Sequence, residues 1–212
     1  MSNVVLVETL PPAMRLALAY APTRARPAYA ALFALDCHLA ALVRGTHEAL
    51  LGQIRLAWWR DRLGEDSASW PAGEPILKAL ASWGGGQGRL ARVVDGWEEL
   101  IGDAPLDLGA LSRHAEGRAD GFKMLGVAFG ERGEPEVIRA AKDWALADLA
   151  SHLGSAEERT AAQQLLADRD HAAVRLPRFF RPLAVLRVIA LRQNAGALGT
   201  FAVAVRTGLL GR

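Results

Sequence analysis

The carboxylate of Asp36 stands inside an apolar stripe. In ALFALDCHLAALVR, residues 31 to 44, Leu32, Phe33, Leu39, Ala40 and Val43 recur at steps of three and four, and Asp36 falls on their side. A buried, ionised carboxylate is costly unless it is paired or coordinates a cation. Its partner is therefore either an arginine of a neighbouring helix, such as Arg55 or Arg15, or a metal or substrate. Asp148 and His152 are four residues apart and share a helical face with Ile138, Ala141 and Ala145. They are the candidates for catalytic groups, but two ligands do not define a metal site, and an Asp–His hydrogen bond accounts for them as well as a shared divalent cation. No metal site is expected.

Other polar and aromatic clusters have plainer readings. Asp95, Glu98 and Glu99 lie opposite or at the edge of the stripe formed by Val93, Val94, Trp97 and Ile101, as a solvated acidic face would. Trp58 and Trp59 could stack on a ligand, yet adjacent helical aromatics diverge and serve packing first. After Asp170 there is no acid, while Arg175, Arg178, Arg181, Arg187, Arg192, Arg206 and Arg212 accumulate. Within that end RLPRFFRP sets Arg175, Arg178 and Arg181 beside Phe179 and Phe180, which suits an anionic membrane surface, a diphosphate, an acidic protein partner or a merely solvated loop. Nucleic acid is not expected as a partner, because the net charge is only +2 and lysine is scarce.

The elements that must position these residues read as helices. One runs from Pro27 to Gly45, and the next covers 48 to 63 with Leu51, Ile54 and Trp58 as its apolar face. EPILKALASW stops at Gly84, Gly85 and Gly86, and RLARVVDGWEELI follows. Asp107 caps a long helix to about Phe129, with Leu108, Leu111, Phe122, Leu125 and Phe129 inward and Gly117 and Gly121 permitting close approach. GERGEP turns the chain into the helix at 135 to 153. Ser155 and Glu158 form a capping box for the helix after it, and two more start at Pro182 and near Gly196. No alternating β-branched run supports a strand, so the expectation is an all-α bundle of eight or nine helices, one domain over residues 1–212.

Composition agrees with a folded domain. Half of the 212 residues are hydrophobic and 23% are charged. Cys37 is the lone cysteine, so no internal disulfide and no cysteine zinc site is available, and a cytosolic setting is the default. The first residues, MSNVVLVETLPPAM, carry no secretory pattern, and the apolar run AGALGTFAVAV is too short to span a bilayer. The expected location is cytoplasmic, with peripheral attachment to the inner membrane as the only membrane role.

RPAYAALFALDCHLAALV, LLGQIRLAWWRDRL, the W-A-L-A-D-L segment and RLPRFFRPLAVL together resemble the squalene/phytoene synthase family in order and spacing. The resemblance implies the isoprenoid synthase fold, a helical bundle around a central cavity, and places Phe33, Asp36, Ala40, Arg44, Arg55, Trp58 and Phe122 around an isoprenoid or lipid pocket. Active members carry two facing aspartate-rich motifs, because Mg²⁺ ions must bridge carboxylates to the diphosphate being ionised. The family pattern Y-A-F-C-R-x-V-D-D-x-x-D, laid on residues 33 to 44, puts Ala40, Ala41 and Arg44 where the metal-binding aspartates belong. The resemblance extends to degenerate alphaproteobacterial members and to the mitochondrial complex I assembly factor of the group. It thus implies a non-catalytic binding or assembly protein without a cofactor. The alternative is a working prenyl-diphosphate transferase acting on farnesyl or geranylgeranyl diphosphate through Asp148, His152 and Mg²⁺.

Overall fold

The computed structural model describes residues 6–45, 48–83, 87–131, 135–169, 174–192 and 197–210. Helices α1 (Pro12–Ala19), α2 (Arg26–Arg44), α3 (Ala49–Gly64), α4 (Pro75–Leu80) and α5 (Ala91–Glu98) are followed by α6 (Leu108–Ala128), α7 (Pro135–His152), α8 (Ala156–Ala167), α9 (Arg181–Leu191) and α10 (Ala197–Leu210). Short 3₁₀ turns connect several of them, and no strand occurs among the described residues. The all-α architecture is that of the isoprenoid synthase helical fold. The triple glycine at 84–86, Gly196, Asp170 and Arg212 lie outside the described residues.

Helix α2 is the centre of the bundle. From Ala28 to Ala40 nearly every side chain is buried, including Tyr29, Phe33, Leu35 and Leu39, because α1, α3, α4, α5 and α6 pack around it. Tyr29 meets Phe33, Phe122 and Phe179, and Trp144 stands edge-on to Phe122 with ring centroids 5.4 Å apart. The Tyr29 hydroxyl donates to the Phe179 carbonyl at 2.8 Å, so the polar end of the buried ring is satisfied. Burial drives the Tyr29 pKa upward, with Glu131 adding to the effect.

This aromatic cluster corrects two expectations. Phe33 and Phe122 are core residues and line none of the described pockets; large rings at the centre of the bundle serve its packing. Phe179 and Phe180 are likewise buried, at 4% and 0% exposure, and cannot insert into a membrane. RLPRFFRP folds its phenylalanines inward against Tyr29 and Phe129 and leaves Arg175 and Arg178 outside.

Helix α5 crosses α6 where Gly96 faces Gly117. A Cβ on Gly117 would stand 2.6 Å from the Arg92 carbonyl oxygen and 2.7 Å from the Gly96 Cα, so the backbones meet only because both positions lack side chains. Asp107 caps α6 through the Ala110 N–H at 2.6 Å. The other end of α6 closes with Gly130 at φ 72°, the Glu131 N–H bonding Gly126 and the Gly130 N–H bonding Val127, a Schellman arrangement. Ser155 caps α8 through the Glu158 N–H, but the expected reciprocal bond is not made: the Glu158 carboxylate accepts from the Leu106 N–H at 3.0 Å instead.

Helix α3 presents the opposite face from the one expected. Leu56, Trp59 and Leu63 are buried, whereas Leu51, Ile54 and Trp58 are exposed. Apolar residues surround most of this helix, so its periodicity admits either face, and contacts with α5 select the one around Trp59. Leu108 is also exposed, although its helix is otherwise oriented as expected.

Candidate functional site

Helices α2, α5, α6 and α7 converge on one ion cluster. Asp36 comes from the inward face of α2, Arg118 from the middle of α6, Asp148 from the last turns of α7 and Trp97 from α5. The Arg118 guanidinium grips Asp36 with two parallel bonds, Nε to Oδ1 at 3.0 Å and Nη2 to Oδ2 at 2.7 Å. Its Nη1 reaches Asp148 Oδ2 at 2.8 Å. Asp36 Oδ1 also accepts from the Trp97 indole N–H at 2.9 Å. The guanidinium carbon stands 3.9 Å from the Trp144 ring centroid and 5.3 Å from that of Trp97, so it packs against two indole rings as well as being hydrogen-bonded.

The cluster sets the charge states around it. Burial alone would push the Arg118 pKa down, but Asp36 and Asp148 more than reverse this and the net shift is upward, leaving a permanent cation at 3% exposure. Cys37 is pushed up to about 12, first by burial and then by the Asp36 charge, so it stays a thiol. His114 is pushed down to about 3 by burial and by Arg118, and stays neutral with its Nδ1 3.0 Å from the Gly96 carbonyl oxygen.

Beside the cluster opens a pocket of about 330 Å³. Asp36, Ala40 and Arg44 line one side at four-residue spacing on α2, Asp148 and His152 face them from α7, and Leu100, Leu106, Leu149 and Leu153 supply apolar wall. Asp36, Asp148 and Glu158 oppose Arg44 and Arg118 in the lining, three carboxylates against two guanidiniums.

The partner of Asp36 is Arg118, which corrects the expectation of Arg55 or Arg15. Arg118 falls on the stripe Leu111, Ala115, Arg118, Phe122, Leu125 of α6, and an arginine there was the complement of the aspartate on α2. Arg55 and Trp58 sit on the exposed side of α3 and do not line the pocket, because packing against α5 turns the Trp59 face inward. Ala41 is exposed, while Ala40 and Arg44 reach the cavity. Asp148 and His152 do come together, but His152 Nδ1 lies 2.8 Å from the Asp148 backbone oxygen and 3.8 Å from its carboxylate.

The sequence pattern named squalene/phytoene synthase matches residues 13–179. The chain belongs to the squalene/phytoene synthase family. No curated protein and no solved structure matches it. Squalene/phytoene synthases hold their diphosphate through Mg²⁺, and the residues in this pocket do not fit that ion set. Both Asp36 oxygens and one Asp148 oxygen are bound to Arg118, and one Glu158 oxygen is bound to a backbone N–H. No three of His, Cys, Asp or Glu among the described residues are grouped to hold a metal. Hard divalent cations need several free, clustered oxygens, and three of the four on Asp36 and Asp148 are bound to one guanidinium.

Proposed function

We propose that this chain is a non-catalytic squalene/phytoene-synthase-like protein. It holds an uncharged isoprenoid or other lipid chain in the pocket beside Arg118 and serves a binding or assembly role with a protein partner. The observation that carries this reading is the Asp36–Arg118–Asp148 cluster. A fixed internal cation ties together the two helices whose carboxylates, in active members, would reach for metal, and it cannot be displaced without leaving buried charges unpaired. The excess of carboxylates over guanidiniums in the lining supports an uncharged headgroup over a diphosphate, since an anion there would meet that excess without a metal to screen it.

A cytoplasmic protein with peripheral attachment to the inner membrane, residues 1–212 acting as one domain, completes the reading. No helix among the described residues is long and apolar enough to cross a membrane, so attachment in this reading is peripheral rather than through a spanning helix. The test is to incubate the protein with Mg²⁺ and farnesyl or geranylgeranyl diphosphate and to follow diphosphate release, with mass spectrometry of lipid retained after purification alongside. The reading expects no release above background and a retained uncharged lipid; turnover would overturn it.

A further inference from the structure

The basic end of the chain is not used by the pocket beside Arg118. Three of its arginines, from three separate segments, converge on a second groove of about 320 Å³: Arg175 precedes the 3₁₀ turn Arg178–Phe180, Arg187 lies on α9 and Arg206 on α10. Val174, Leu176, Val188 and Val203 give this groove an apolar wall, and no acid lines it among the described residues.

Its charge is not neutralised from within. Arg187 Nε bonds Asp143 Oδ2 at 3.0 Å, but the same buried carboxylate also takes Arg169 at 2.6 Å. Four guanidiniums, those of Arg169, Arg175, Arg187 and Arg206, therefore stand against one carboxylate. Arg187 Nη2 is buried without a hydrogen-bond partner among the described residues. Arg175 and Arg206 are exposed, and neither forms an ion pair with another described residue.

Planar guanidiniums in surplus beside an apolar wall suit a phosphoryl group carried on a hydrocarbon. The volume is at the small end for ligand sites, enough for a headgroup and the first methylenes rather than for a whole two-chain lipid. Phe179 and Phe180 are committed to the core and do not accompany the arginines. We propose that this groove captures the phosphoryl headgroup of an anionic phospholipid in a bilayer, with Arg175 and Arg206 on the phosphate oxygens and the valine-lined wall against the adjoining chain.

Vesicle co-sedimentation on phosphatidylcholine, with and without phosphatidate, tests this. The double variant Arg175→Gln/Arg206→Gln is compared with Arg178→Gln/Arg192→Gln, which removes the same charge from exposed positions outside the groove. The groove variant should lose about 25-fold in binding to phosphatidate vesicles, at about fivefold per arginine, while the control variant keeps most of it. Soluble dihexanoyl phosphatidate should compete, and inorganic phosphate at the same concentration should not. Equal losses in the two variants, equal binding to both lipids, or equal competition by inorganic phosphate would each overturn the proposal. None of these outcomes bears on occupancy of the pocket beside Arg118.

Discussion

Arg118 and Arg206 both belong to helices of this bundle, yet they live in opposite conditions. Arg118 is at 3% exposure with its donors shared by two carboxylates and two tryptophan rings packed beside it. Arg206 is exposed beside two further arginines with no acid in its groove among the described residues. The first arrangement satisfies its charge internally, so its work is to fix α2, α6 and α7 relative to one another. The second is not neutralised by any acid in its groove among the described residues. Charge satisfaction, rather than residue type, separates an arginine that holds the fold from one that is available to bind.

The largest effect that could break this comparison lies at the cluster. Asp36→Ala should destabilise the protein by about 3 to 5 kcal/mol, because Arg118 keeps its charge while losing its bidentate partner. Chemical denaturation measures it. Pairing that change with Arg118→Met should restore much of the loss, since a buried pair replaced by apolar groups is often near neutral. If the double variant is as unstable as the single one, the cost belongs to packing rather than to an orphaned cation.

His114 sharpens the same point through pH. Its folded pKa of about 3 lies below the ordinary 6.5, so the unfolded chain binds a proton that the folded chain refuses. Its contribution is present above 6.5 and is lost as pH falls from 6.5 towards 3. His114→Phe should therefore flatten the acid limb of a stability-against-pH curve, and an unchanged slope would contradict the burial argument.

A smaller loss is expected at the helix crossing. Gly117→Ala should cost about 1 to 3 kcal/mol, as its methyl group would press on the Arg92 carbonyl and the Gly96 backbone, neither of which can swing aside. Thermal melting reads this directly. Smallest of all, Arg175→Gln and Arg206→Gln should each change stability by no more than about 0.5 kcal/mol, since exposed residues without partners contribute little to the native state. A large destabilisation there would mean that the groove arginines are structural after all.

Much of the fold was legible in the sequence. Pro27 at the head of α2, Asp107 before α6 and Ser155 before α8 mark helix starts through local chemistry that distant contacts do not change. The Gly117 approach was legible as well, although its partner Gly96 was not, because nothing local says which helix will cross. The face of α3 was unreadable for a different reason: Leu50, Leu51, Ile54, Leu56, Trp58, Trp59 and Leu63 surround the helix, and only tertiary packing chooses among them. Of the candidate site, Asp36, Ala40, Arg44, Asp148 and His152 do gather on one pocket. Arg118 was missed although its place on the α6 stripe carried the signal. The core role of Phe33, Phe122, Phe179 and Phe180 is not legible locally, because the aromatic cluster that claims them spans α2, α6 and the segment before α9.

Thermal melting under an Mg²⁺ titration, with geranylgeranyl diphosphate present, tests most directly whether Arg118 keeps the carboxylates of α2 and α7 from a metal. A cation bound only by the native state would raise the melting temperature as its concentration passes the dissociation constant. With Asp36 and Asp148 already held by Arg118, millimolar Mg²⁺ should leave the melting temperature unchanged. A clear, saturable rise would show that carboxylates remain free to bind metal, and would contradict the account.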